Sequence, residues 1–204
     1  MHLKPMISLR RMIPIRRVRH RVTQFFRTLS APLLRLDETY AAAHLSPKLM
    51  ALFRQMPRAE QQHGIAMCRA LEDQGHHDPD LLTAALLHDV GKARVPLWIF
   101  ERVLVVLGEH YFPQQAARWS RGEPQGWRRG FVIRRMHPQW GADLVKQAGA
   151  PARVVTLIRR HHEPLGAAAA AADAAPVADA TTVADTAVAA DDAALAALQA
   201  LDEA

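Results

Sequence analysis

The feature that most constrains this chain is an adjacent histidine and aspartate, His88 and Asp89, at the end of an apolar helical run. Aspartate supplies a hard oxygen ligand and imidazole a borderline nitrogen, a pair that suits Fe, Mn, Zn or Mg. Neighbouring helical residues point about 100° apart. Both side chains can therefore reach one ion, or flank two ions, only where the helix ends, and Gly91 is expected to end it. Taken alone, the pair could instead be a surface or helix-capping pair.

A second histidine, His63, lies on a predicted amphipathic helix. Apolar Met67, Ala70 and Leu71 follow it at four, seven and eight residues, so the histidine shares their core-facing stripe. A polar group on an inward face needs a partner, because burying it unpaired is costly. The sequence leaves two partners open, a metal ion and a backbone carbonyl.

Further candidate ligands occur downstream, each in or at the end of a predicted helix: His137, the tandem His161-His162, and Asp202. Arg159 and Arg160 flank the tandem pair, and guanidinium groups suit phosphate oxygens. His137 could also be a core or capping residue, and the two tandem histidines need not both reach a metal.

In order and type, these residues resemble the HD-domain superfamily of metal-dependent phosphohydrolases, from about residue 60 to residue 202. The superfamily pattern is a histidine, a His-Asp doublet and a late aspartate. The extra histidines resemble the additional ligands of the HD-GYP branch, whose members bind two or three metals and cleave cyclic di-GMP. That branch's Gly-Tyr-Pro element is absent, since Pro164-Leu165-Gly166 leads directly into polyalanine.

The resemblance implies a site with one or two divalent ions, Fe, Mn, Zn or Mg, and the following ligands: His63, His88, Asp89, His137, His161, His162 and Asp202. Asp89 would bridge the ions and, with Lys92, form the catalytic pair. Lys92 would also bind a phosphate oxygen, although a solvated lysine is the alternative. Arg159 and Arg160 would bind substrate, and Arg102, Arg134 and Arg135 are further candidates.

The implied function is cleavage of a phosphoester in a nucleotide or related small phosphate by a metal-activated water. The alternative is a non-catalytic HD-fold signalling or interaction module. Function inferred from fold resemblance is analogy, so the substrate itself is not predicted.

The predicted fold is an all-α helical bundle, because no alternating run of β-branched residues indicates a strand. Expected helices cover 37–56 with a break at Ser46-Pro47, 58–74, 80–90 and 96–107, followed by a loop at 108–126 and helices near 126–136, 138–148 and 151–162. We divide the chain into a basic N-terminal segment (1–35), the HD domain (36–165), a low-complexity linker (166–190) and a C-terminal helix (191–204) that returns to the domain.

Charge is unevenly distributed. All 26 Lys and Arg lie in residues 1–160 with 12 acids, whereas residues 161–204 carry 8 acids and no Lys or Arg. This asymmetry predicts either an anionic partner for the basic part or an acidic tail that folds back on it. Residues 9–27 could bind anionic lipid or nucleic acid, or form a helix that packs on the bundle with a solvated basic face.

Two observations bear on the compartment. The single cysteine, Cys68, excludes an internal disulfide and fits a reducing cytoplasm. No apolar stretch reaches the roughly 18–20 residues of a membrane span. We therefore expect a cytoplasmic protein that could associate peripherally with a membrane.

Overall fold

The computed structural model describes residues 35–95, 97–163 and 183–202, except for the side chains of residues 99 and 183–190. The predicted lipid or nucleic-acid contact of residues 9–27 lies outside the described residues, as do residues 166–182 of the predicted linker.

The described residues form nine α-helices and contain no strand, which confirms the all-α prediction. In chain order the helices are α1 (Glu38–His44), α2 (Pro47–Gln55), α3 (Arg58–Asp73), α4 (Pro79–Leu87), α5 (Ile99–Tyr111), α6 (Pro113–Trp119), α7 (Arg129–Gln147), α8 (Ala152–Arg160) and α9 (Val183–Asp202). Two short 3-10 helices, Val90–Arg94 and Gly126–Arg128, precede α5 and α7.

Local sequence explains where the early helices begin. Asp37 accepts a hydrogen bond from the Tyr40 backbone N–H at 3.0 Å, and Asp78 accepts one from the Asp80 N–H at 3.0 Å. Ser46 caps α2 in the same way. Pro47 and Pro79 occupy the first turns of α2 and α4, where the missing N–H of proline costs nothing.

The predicted break between residues 136 and 138 is wrong, because α7 runs unbroken through Pro138. Proline removes one helical hydrogen bond and crowds the preceding turn. Here the flanking turns are held by burial, with Phe131, Ile133, Ala142 and Val145 all in the interior. Packing therefore outweighs the local preference for a break.

Two more boundaries differ from expectation. The predicted loop at 108–126 contains α6, which begins at Pro113. The last helix begins at Val183 rather than at 191, because the alanines that look like a linker are also the strongest helix formers.

Most of the core lies between α1–α4 and α7–α9, where fully buried side chains include Phe53, Leu71, Leu87, Ile158 and Leu198. A smaller apolar cluster joins α5, α6 and α7 through Val105, Ala116 and Phe131. The first core fixes the ends of the helices that carry the candidate ligands. No helix in the described part of the chain has the length and apolar character needed to cross a bilayer.

Candidate metal centre

The structure brings seven predicted ligands together from five places in the sequence. His63 is on α3, and His88 and Asp89 connect α4 to the first 3-10 helix. His137 is on α7, His161 and His162 directly follow α8, and Asp202 is the last residue of α9.

The ligand atoms form two groups, each with atoms within 4.8 Å of one another: His63, His88 and Asp202, and then His137, His161 and His162. The five imidazole rings of the two groups form an unbroken row of neighbouring rings. His88 lies 5.3 Å from both His63 and His161 between ring centroids, and His137 lies 5.2 Å from His161 and 4.8 Å from His162. Two ions, one in each group, would therefore be neighbours.

Both aspartates contact both groups. Asp89 places Oδ2 3.4 Å from His88 Nε2 and Oδ1 3.3 Å from His137 Nε2. Asp202 places Oδ1 3.1 Å from His63 Nε2 and Oδ2 3.5 Å from His162 Nε2. The geometry thus offers two bridging carboxylates, whereas the sequence suggests that role for Asp89 alone.

Three imidazoles are fixed by the helices that carry them. Nδ1 of His88 lies 2.9 Å from the Ala85 carbonyl, Nδ1 of His137 3.1 Å from the Ile133 carbonyl, and Nδ1 of His161 2.6 Å from the Ile158 carbonyl. A carbonyl oxygen only accepts, so each Nδ1 carries the proton and donates. In the neutral ring the opposite Nε2 is then a free acceptor, the arrangement typical of metal-binding histidines.

Those three Nε2 atoms are buried and have no hydrogen-bond partner in the described residues. A buried polar atom without a partner costs free energy, and three in one place are unusual. The nearby carboxylate oxygens are 3.3–3.6 Å away without hydrogen-bonding geometry. A cation between these nitrogens and oxygens would satisfy all of them, so the donor set fits a metal.

Burial opposes the charged form of these histidines, but their pKa values are not all lowered. It lowers the pKa of His137 to about 4, and it lowers the pKa of His161 with help from the neighbouring histidines. Both rings are therefore neutral near pH 7, as a metal ligand must be. Burial also opposes the charged form of His88, but Asp89 and Asp202 outweigh it and raise the pKa of His88 well above its ordinary value. The carboxylates thus favour a positive charge on that side of the site.

Both carboxylates are ionised. Burial would raise the pKa of Asp89, but Lys92 and His88 hold it well below its ordinary value. Burial acts the same way on Asp202, but the neighbouring histidines His162, His63 and His88 hold its pKa well below its ordinary value.

Lys92 belongs to a charged network beside the centre. Its Nζ lies 2.6 Å from Asp89 Oδ2 and 3.7 Å from Glu60 Oε2, and Glu60 in turn accepts a hydrogen bond from Arg102 at 2.8 Å. Burial opposes the charge on Lys92, but the neighbouring carboxylates raise its pKa. The lysine is therefore a fixed cation one helical turn from Asp89.

The predicted substrate arginines are placed differently. Arg159 lies 3.9 Å from Asp143, and Arg160 bonds Asp192 and Glu163 at 2.9 and 3.3 Å. No hydrogen bond or ion pair in the described structure joins Arg159 or Arg160 to the centre, so substrate binding by them stays a prediction. Arg134, a further candidate, lies within 3.0 Å of the His162 ring.

Gly91 does not end α4, which stops at Leu87. It lies in the 3-10 helix and does not have the positive φ of a left-handed glycine cap. A Cβ on Gly91 would lie 2.0 Å from the His137 carbonyl oxygen and 2.8 Å from the Gly141 nitrogen. The prediction of a glycine cap is therefore wrong, and the residue is needed because the backbones carrying Asp89 and His137 touch here.

Asp202 reaches the centre because α9 docks on the bundle from Asp191 onward. Leu195 and Leu198 are fully buried. Arg153 bonds Asp191 at 2.6 Å, and Gln199 donates to the Glu163 carbonyl at 2.7 Å. The acidic tail thus folds back on basic residues, one of the two outcomes that the charge asymmetry predicts.

Sequence reasoning missed Glu60 and the three carbonyls that fix the imidazoles. Glu60 could have been found, since it precedes His63 by three residues and shares its helical face. The carbonyls could not, because every helical histidine has a carbonyl three or four residues earlier.

A family model described as HD domain matches residues 61–196, about two thirds of the 204 residues. It includes the His88-Asp89 doublet and the downstream histidines and stops before Asp202. No curated protein and no solved structure gives a match to the chain. The family match, over a helical bundle whose histidines and aspartates converge, confirms the resemblance: this chain belongs to the HD-domain superfamily of metal-dependent phosphohydrolases.

Proposed function

We propose that the protein hydrolyses a phosphoester bond in a nucleotide or related small phosphate at the centre formed by the two histidine groups. The observation that carries the proposal is the set of three buried, unpartnered Nε2 atoms facing two ionised aspartates. Burying such a set costs free energy when no cation is present, whereas the same atoms can bind a cation that enters the site.

The ligand assignment follows from the two groups. His63, His88 and Asp202 would hold one divalent ion and His137, His161 and His162 a second, with Asp89 and Asp202 shared between them. Divalent ions in such a pair act as Lewis acids, lower the pKa of a bound water and neutralise charge on a phosphoryl group.

The protein's own residues prepare the site for an anionic substrate. Lys92 is fixed against Asp89 and Glu60 and keeps its proton, so it can donate to a non-bridging phosphate oxygen and stabilise charge that develops there. Arg134, beside His162, supplies a second cation at the other histidine group.

The residues of the centre differ in their exposure to solvent. Three of the histidines are buried: His88, His137 and His161. The exposed fraction is 13 to 24% for the side chains of His63, His162, Lys92 and Asp202. A phosphate arriving from solvent therefore meets Lys92 and the two partly exposed histidines first, and the buried ligands lie behind them.

The test combines metal analysis with hydrolysis. Purified protein is analysed by inductively coupled plasma mass spectrometry and assayed on bis(p-nitrophenyl) phosphate and a nucleotide panel. Asp89→Asn is nearly isosteric and should lose bound metal and hydrolysis together, while circular dichroism shows unchanged helix content. Lys92→Met should keep the metal and lose most of the turnover.

Asp143→Asn is the matched control, because this carboxylate is 44% exposed and contacts only Gln139 at 2.9 Å and Arg159 at 3.9 Å among the described residues. It should match the wild type in both assays. Full metal content and turnover in Asp89→Asn would refute the proposal. Bound metal with no hydrolysis of any substrate tested would favour the non-catalytic alternative.

A further inference from the structure

Exposed apolar surface is concentrated in one part of the molecule. Eight large apolar side chains are exposed among the described residues, and all eight lie between Trp98 and Trp127. Scattered exposed apolar residues are normal, whereas a concentrated group marks an interaction surface.

The centre of this surface is one face of α5. Five exposed residues recur at helical spacing and define the α5 patch: Phe100, Val103, Leu104, Leu107 and Tyr111. At about 100° per residue they cover one continuous stripe. Trp98 directly precedes α5 and Phe112 directly follows it, and they are 66 and 53% exposed.

The rest of α5 is occupied by the protein itself. Val105 packs against the α7 cluster, and a Cβ on Gly108 would touch the Phe131 ring. Arg102 bonds Glu60, and Glu109 pairs with Arg134. The patch therefore lies on the side of α5 away from the residues that line the candidate metal centre.

The segment that contains the patch is basic, and of its arginines only Arg102, Arg129 and Arg134 pair with a carboxylate in the described residues. Residues 94–135 carry eight arginines against three glutamates, and one of these, Glu101, is buried against Arg129. Arg94, Arg121 and Arg135, together with Glu123, line an open cavity of about 580 Å³ next to Trp140. Neither Arg121 nor Arg135 forms an ion pair with a carboxylate in the described part of the chain, so both are available to an anion.

Charge and composition indicate what kind of partner binds to the patch. A second copy of the chain would bring two basic surfaces together. Residues 9–27 carry seven arginines and no acid. Electrostatic repulsion therefore disfavours either of them as the partner of the patch. Residues 164–182 contain only Leu165 and Val177 as larger apolar side chains, too few to cover the patch. A partner surface that is both apolar and anionic complements the patch and the arginines of its segment.

We propose that the α5 patch docks on an anionic lipid bilayer. Trp98 and Tyr111 would lie at the headgroup level, where aromatic side chains with a polar end are favoured, and Phe100, Leu104 and Leu107 would enter the acyl boundary. The arginines of this segment that form no ion pair, such as Arg121, would contact lipid phosphates. This surface is independent of hydrolysis at the metal centre.

The test is co-sedimentation of the full chain with vesicles of phosphatidylcholine, with and without phosphatidylglycerol. Binding should require phosphatidylglycerol and weaken at high salt, because exposed charges are screened. The double variant Phe100→Gln/Leu107→Gln should bind about a hundredfold more weakly, about tenfold for each apolar side chain that no longer enters the bilayer. Both positions are exposed and glutamine favours helices, so its melting temperature should be unchanged.

The matched control is Ala42→Gln/Ala51→Gln, which adds the same side chain at exposed positions of α1 and α2 and should bind like the wild type. Equal binding by the patch variant would overturn the proposal, because other residues, such as 9–27, would then hold the lipid. Sedimentation velocity supplies the other refutation: self-association that disappears in the patch variant would assign the face to a second copy.

Discussion

Gly91→Ala tests whether backbone contact between the 3-10 helix and α7 builds the metal centre. The added Cβ would lie 2.0 Å from the His137 carbonyl oxygen, 1.4 Å short of the 3.4 Å at which ordinary contact begins. The Gly141 nitrogen, at 2.8 Å, blocks a second direction. Neither atom belongs to a side chain that can rotate away, so the two backbone segments must separate.

The cost can be worked from this geometry. Overpacking a core typically costs about 1–3 kcal/mol, and a clash with backbone belongs at or above the upper end, about 3 kcal/mol. For a chain of this size each kcal/mol lowers the melting temperature by about 2–4 °C, so the expected fall is about 6–12 °C. The same separation displaces His137 from Asp89, which is 3.3 Å away, so bound metal should also fall.

Circular dichroism monitors thermal unfolding in the presence of EDTA, so the melting temperature reports the stability of the metal-free protein. Mass spectrometry of untreated protein measures the metal. Gly141→Ala is the matched control at the same contact, because its Cβ would come no closer than 3.3 Å, and alanine gains about 1 kcal/mol over glycine in a helix interior. It should be nearly neutral. A Gly91→Ala melting temperature equal to that of the wild type would refute the reasoning.

Three further predictions concern the tail and the buried thiol. Asp202→Ala should reduce the number of bound metal ions with little change in helix content, and unchanged stoichiometry would mean that α9 supplies no ligand. Leu198→Ala, at a fully buried position, should cost about 2–5 kcal/mol in urea unfolding and reduce bound metal by loosening α9. Burial raises the pKa of Cys68 to about 11 from 9.0, so iodoacetamide at pH 8 should label it only after denaturation. Because the folded pKa is the higher one, the stability linked to this thiol is complete below pH 9 and is lost as the pH rises towards 11.

Sequence reasoning succeeded where the determining information is local. The His88-Asp89 doublet closes an apolar run, and the periodicity around His63 shows that this histidine faces inward, so both could be identified without knowledge of neighbouring helices. The all-α class followed for the same reason, since helical periodicity and capping residues such as Ser46 are read within a few positions.

It failed where tertiary contact decides the outcome. Pro138 looks like a boundary, yet burial on both sides carries α7 through it. Gly91 looks like a helix cap, and only the approach of the His137 backbone, 46 residues later in the chain, shows why glycine is required. In both cases the prediction used a rule based on neighbouring residues, whereas long-range packing decides the structure.

The position of Asp202 shows how charge and packing combine to complete the candidate centre. The apolar stripe of α9, with Leu195 and Leu198 buried, supplies the affinity that brings the tail back across the bundle. The ion pairs Arg153–Asp191 and Arg160–Asp192 fix its register along α8. With that register set, the last residue of the helix lies between His63 and His162, where its two oxygens meet different histidine groups. Arg160, predicted as a substrate ligand, thus has a structural role that accounts for its position: it aligns the helix that delivers the second bridging carboxylate.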